Sequence, residues 1–114
     1  MSQTEKAAAR LLKSPRALIE KPENWVKGTY SCHVEGRPCY CMLGALDQAV
    51  DNNQDDDLYV GSPLHQTAHN ALLDALVDSY TDVGTVPDFN DAPTTTHADV
   101  LKVYDLAIAN MEAE

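Results

Sequence analysis

Apolar residues return every three or four positions through the stretch LHQTAHNALLDALVDSY, residues 64 to 80, and that spacing predicts a helix with one buried side. Leu64, Ala68, Ala71, Leu72, Ala75, Leu76 and Tyr80 share the side, with Gln66, Asn70, Asp74 and Asp78 opposite. Ser62-Pro63 opens the helix as an N-cap followed by proline at the first helical position. A face of leucine and alanine is thin, so it needs other helices against it. Aromatic residues make up only 6% of the chain, which leaves an aliphatic, alanine-rich core and favours packed helices. A chain of 114 residues can bury one such core, and a single domain over residues 1–114 is expected.

The remaining segments fit around that helix. TEKAAARLLK is rich in helix formers; Ser14-Pro15 then reads as the cap of a second short turn over RALIEK, ended by Pro22. NWVKGTYSCHVEGRPCYC carries β-formers around glycines and predicts a hairpin turning at Glu35-Gly36-Arg37-Pro38. From Cys41 to Val50 the period becomes helical, with Met42, Ala45, Leu46, Ala49 and Val50 on one face. Gly44 within it costs about 1 kcal/mol relative to alanine, which predicts that another backbone passes close by. DNNQDDD reads as a solvated loop; it fails as a calcium loop because Asp56 stands where that pattern needs glycine. TDVGTVPDFNDAPTT reads as a second loop, ahead of a last amphipathic helix capped by Thr96 and Asp99 and carrying Val100, Val103, Tyr104, Ala107, Ile108 and Met111. The expected fold is mainly α (small α+β), four to five helices with one short hairpin, in which residues 1–24 form an N-terminal helical segment and 25–114 the core.

Charge is unevenly spread. Residues 1–37 hold seven of the eight basic side chains against four acids, and residues 38–114 hold Lys102 alone against fourteen acids. An acidic body repels nucleic-acid phosphates and attracts basic protein surfaces, so the expected partner is a protein, with no direct nucleic-acid binding. No apolar run approaches the roughly 20 residues a membrane span needs, and MSQTEKAAAR lacks the apolar stretch of a secretory signal. A cytoplasmic setting is expected, in which Cys32, Cys39 and Cys41 are free or metal-bound rather than bridged. Phosphate loops, dinucleotide fingerprints, serine elbows and basic aromatic patches are absent.

Three readings compete for the chemistry-bearing residues. Cys41, or Cys39 just outside the helix, lies where the positive end of a helix lowers a thiol pKa; His65 or His69 as base and Asn90 or Asp91 as orienter would supply the order of a thiol hydrolase or transferase. Against that, small cysteines are commonly core residues, and a triad is established by geometry rather than order. Cys39, Cys41, His65 and His69 would serve as zinc ligands, the histidines one turn apart, although Cys-x-Cys is not the common zinc spacing and no cofactor is otherwise implied. Asn90 and Asp91 are also turn formers whose side chains bond nearby backbone. The third reading is binding: Asp55, Asp56 and Asp57 in the loop, and Asp74 and Asp78 on the helix, would meet a basic partner, and Trp25 would either anchor that partner or plug hairpin to helices.

CYCMLGAL at residues 39–46 and DFNDAPTTTHADVL at 88–101 together resemble a family of small proteins of unknown function from actinobacteria and their phages. The resemblance runs from Trp25 onward and rests on Cys41, Gly44, Ala45 and Leu46, then Phe89, Asn90, Asp91 and Pro93, with Thr96 and Val100 following. Phe89 stands where the family often has tryptophan. The resemblance implies no activity and no constant histidine. It does imply that Cys41 and Asn90-Asp91 belong to one framework, meeting where the first core helix begins. The function expected is that of a small acidic intracellular accessory protein, phage-encoded, acting by protein binding rather than catalysis on a host protein or on its own kind.

Overall fold

The structure is a computed structural model that describes residues 3–53, 56–79 and 84–113. In chain order these form α1 (Gln3–Leu18), a 3₁₀ turn (Pro22–Asn24), β1 (Ser31–Val34), β2 (Arg37–Tyr40), α2 (Met42–Asn52), α3 (Pro63–Ser79), α4 (Val86–Asp91) and α5 (His97–Ala113). Five α-helices and one antiparallel hairpin make a mainly α fold with a small β element. Helix α1 packs on α2, α3 and α5, and α5 also packs on α3. Leu12, Met42, Leu46, Leu72, Leu76, Val103 and Tyr104 close the core between them. Tyr80, expected on the apolar side of α3, lies outside the described residues.

The helices depart from expectation at Ser14-Pro15 and between α3 and α5, and α2 runs on through Asp51 and Asn52, residues expected in the loop. Helix α1 continues through Ser14-Pro15 rather than restarting there. Proline forfeits the bond to the carbonyl four residues back, but Pro15 is itself buried with Leu11 and Leu12, and its carbonyl accepts from Ile19 N–H at 3.3 Å. Packing of that face outweighs the local stop signal. The loop expected between α3 and α5 contains α4, which Thr85 caps by accepting from Asp88 N–H at 3.2 Å, with proline in its first turn.

The hairpin turns at Glu35-Gly36 alone, where φ is +54° and +80°, the pair of positive values that a two-residue turn of matching twist requires; Arg37 and Pro38, expected within the turn, are instead the first residues of β2. Ser31 faces Tyr40, Cys32 faces Cys39, His33 faces Pro38 and Val34 faces Arg37. Its base is sewn to the neighbouring segment through Val26 N–H to the Tyr40 carbonyl, 3.0 Å.

The uneven charge is partly spent inside the molecule. Arg16 of α1 makes a two-pronged bond to Asp105 of α5, its Nη2 donating to Oδ2 at 3.3 Å, and Lys13 donates to Glu112 at 3.2 Å.

Candidate functional site

The start of α2 gathers the residues that the sequence singles out. Cys41 is its N-cap: the sulfur accepts from Gly44 N–H at 3.3 Å, and the Cys41 carbonyl accepts from Ala45 N–H at 2.9 Å. The Met42 N–H, another donor that a helix start leaves without an intrahelical partner, is taken by Asn90 Oδ1 at 3.1 Å. Gly44 is required because the chain entering β1 crosses here; a Cβ on it would lie 2.0 Å from the Tyr30 carbonyl oxygen. That carbonyl accepts from Cys41 N–H at 3.1 Å.

Asn90, fully buried at the end of α4, is the hub. Its Oδ1 also accepts from Trp25 Nε1 at 2.7 Å, and its Nδ2 donates to the Val26 carbonyl and to Asp91 Oδ1, both at 3.0 Å. The amide's capacity is thereby used in full. Asp91 Oδ1 takes Gly28 N–H at 2.9 Å; this bond first, then the Asn90 amide and Lys27, holds its carboxyl below the usual range. Lys27 lies 5.6 Å from the Trp25 ring centre and donates to the Ala92 carbonyl at 2.6 Å. Trp25 is therefore a plug between the pre-hairpin segment and α4.

A nucleophilic thiol needs a base within hydrogen-bonding reach and a favourable field. Among the described residues the Cys41 sulfur is bonded to Gly44 N–H and to no histidine nitrogen. Desolvation pushes its thiol up, against the N–H groups of Gly44 and Leu43, and the carboxylates of Asp91 and Asp47 push it further. The helix end is where the sequence places it, but burial outweighs it. His65 is engaged elsewhere: Nδ1 accepts from Gly61 N–H at 3.1 Å, which leaves the proton on Nε2 to meet Asp47 Oδ1 at 2.8 Å. Both its nitrogens have partners within the protein. His69 is half-buried on α3. Cys39 donates its S–H to the Glu23 carbonyl at 3.3 Å. Among the described residues no three His, Cys, Asp or Glu side chains are grouped to hold a metal ion. The structure thus joins Cys41 with Asn90 and Asp91, and gives His65 other partners.

Sequence reasoning missed Asp47, which anchors His65, and His97, whose Nε2 meets the Ile19 carbonyl at 2.6 Å beside Trp25. No local pattern announces either contact, since the partners are 18 and 78 residues apart.

A groove lies between α3 and α5. Leu73, Val77 and Met111 line an open groove of ≈ 500 Å³ together with Ala71, Asp74, Asp78 and Asn110. Asp56 and Asp57 are exposed after α2, and Asp55 lies outside the described residues.

These features define a small, mainly α protein whose motif residues are joined in a hydrogen-bonded framework at the start of α2. A model described as a family of unknown function (DUF6197) matches residues 3–110, and the chain belongs to that family. Comparison with curated proteins and with solved structures gives no match. No helix among the described residues is long and apolar enough to cross a membrane.

Proposed function

We propose that this protein is a binding protein that holds a basic, amphipathic segment of a partner protein in the groove between α3 and α5. The observation that carries the reading is the lining of that groove. Leu73, Val77 and Met111 offer apolar surface, with Val77 47% exposed, and Asp74 and Asp78 stand on the same helix beside them. Apolar contact supplies affinity, and the carboxylates select a cationic partner and steer it in. The excess acid of residues 38–114 adds to that attraction. In this reading the protein is an intracellular accessory factor, phage-encoded as the resemblance to actinobacterial and phage proteins suggests, and its partner is a host protein with a basic surface, including one that itself binds nucleic acid.

Fluorescence anisotropy of a labelled synthetic helical peptide, with leucines along one stripe and lysines flanking them, tests the reading. Binding should weaken as salt rises from about 0.05 to 0.5 M, as exposed charge pairs are screened. It should be lost in Asp74→Lys/Asp78→Lys and retained in Asp56→Lys/Asp57→Lys. Equal binding by the groove variant and the parent chain would overturn it.

A further inference from the structure

Cys32 and Cys39 stand directly opposite each other in the hairpin. The two-residue turn makes Val34 and Arg37 a hydrogen-bonded pair, and alternation along an antiparallel ladder makes Cys32 and Cys39 the next. The bond from Cys41 N–H to the Tyr30 carbonyl, two positions further on, continues the same rhythm. Opposed Cα atoms in such a pair lie about 5.5 Å apart, inside the range of about 4.4–6.8 Å over which a disulfide closes without moving the backbone. Opposed residues also project from the same face of the ladder, so the two side chains are neighbours there. Both are free.

We propose that Cys32 and Cys39 form a dithiol modification site that closes to an intramolecular disulfide by exchange with small-molecule disulfides. Cys32, half-buried, is the point of attack; Cys39, 2% exposed, is shielded from the reagent and resolves the intermediate. The Cys32 thiol gives its proton to solvent, and its sulfur attacks one sulfur of the small disulfide, so that one small thiolate leaves. The Cys39 thiol then gives up its proton, and its sulfur attacks Cys32 Sγ and displaces the second small thiolate. Two electrons pass from the protein to the reagent, the two protons end on the released thiols, and one S–S bond replaces another. Desolvation, and then the neighbouring Cys39, push the Cys32 thiol up, so the first step quickens as pH rises through the thiol range. Closure also removes the S–H that Cys39 donates to the Glu23 carbonyl, one tie between the hairpin and the Pro22–Asn24 turn.

The test uses the full chain and its Cys41→Ser variant, in which serine can keep the helix cap. Each is held with oxidised glutathione at about pH 8.5, near the ordinary thiol value, quenched with N-ethylmaleimide and weighed by mass spectrometry. The expected product is roughly 2 Da lighter than the starting chain, as two lost hydrogens require. It should carry no glutathione, have Cys32 and Cys39 closed to maleimide, and revert with dithiothreitol. Cys39→Ser should stop at a glutathione adduct on Cys32, and Cys32→Ser should not react at Cys39. A lasting adduct on Cys32 of the parent chain, a bond that includes Cys41, or thiols at Cys32 and Cys39 that stay open to maleimide would each overturn the proposal.

Discussion

Asn90 Oδ1 lies 2.7 Å from Trp25 Nε1 and 3.1 Å from the Met42 amide nitrogen, so one buried oxygen ties α4 to the segment before the hairpin and to the first turn of α2. Two short motifs far apart in the chain, Cys-x-x-Gly-Ala-Leu and Phe-Asn-Asp, are the two halves of that joint.

Asn90→Leu keeps the volume but leaves the Trp25 N–H, the Met42 N–H and the Val26 carbonyl without their partner. At about 1–3 kcal/mol for each buried group left unpaired, the loss should reach about 4 kcal/mol, a large share of the stability of a domain this size. Urea unfolding followed by the emission of the single tryptophan measures it. A loss below about 1 kcal/mol would remove Asn90 from the framework.

Gly44→Ala sets two effects against each other. Helix propensity favours alanine by about 1 kcal/mol. The added Cβ would lie 2.0 Å from the Tyr30 carbonyl oxygen, which is backbone and cannot swing aside. Overpacking of this kind costs about 1–3 kcal/mol, so net destabilisation is expected, with the Cys41 N–H to Tyr30 bond weakened first. Hydrogen exchange at the Cys41 amide, compared with amides late in α2, reads that order.

Burial keeps the Cys41 thiol neutral in the folded chain, so its folded pKa lies above its unfolded one. Below the unfolded value of about 8.5 both states hold the proton and the contribution is constant. Above it the unfolded chain ionises first, and stability falls by at most about 1.4 kcal/mol per pH unit until the folded thiol ionises as well. Tyr104, fully buried with its hydroxyl donating to the Met42 carbonyl at 2.7 Å, is raised for the same reason and adds a second loss above about pH 10. Unfolding free energies between pH 7 and 10 should therefore decline less steeply in Cys41→Ser than in the parent chain.

Thr85→Ala removes the cap of a helix only six residues long. A cost of about 1 kcal/mol is expected, and because α4 carries Asn90 the loss should show as lower tryptophan burial before global unfolding. Thr85→Ser should restore most of it.

What the sequence made legible was local. The period of α3, the capping box of α5 and the place of the hairpin turn, though not its two-residue length, each depend on residues within a few positions of one another, and the glycine inside α2 announced a close approach without naming Tyr30. Helix α4 also carried a signal, Thr85 followed by Pro87 and Asp88, but six residues are too few for a period to stand out. Ser14-Pro15 misled because burial of Leu11, Leu12 and Pro15 overrode a local stop. At the site, Asn90 and Asp91 read as turn formers bonding nearby backbone, whereas their main partners lie 48 to 65 residues away. The thiol at a helix end was legible; the burial that reverses its consequence was not, because burial belongs to the whole fold.

The pairing of α1 with α5 has a kinetic consequence. Arg16 meets Asp105 across 89 residues and Lys13 meets Glu112 across 99, so the first helix and the last close a loop nearly as long as the chain. Helical proteins fold fast when their contacts are sequence neighbours, and more slowly as mean contact separation grows, because the entropy of loop closure precedes the reward. This chain should fold more slowly than a helical chain of equal length whose contacts are all between sequence neighbours.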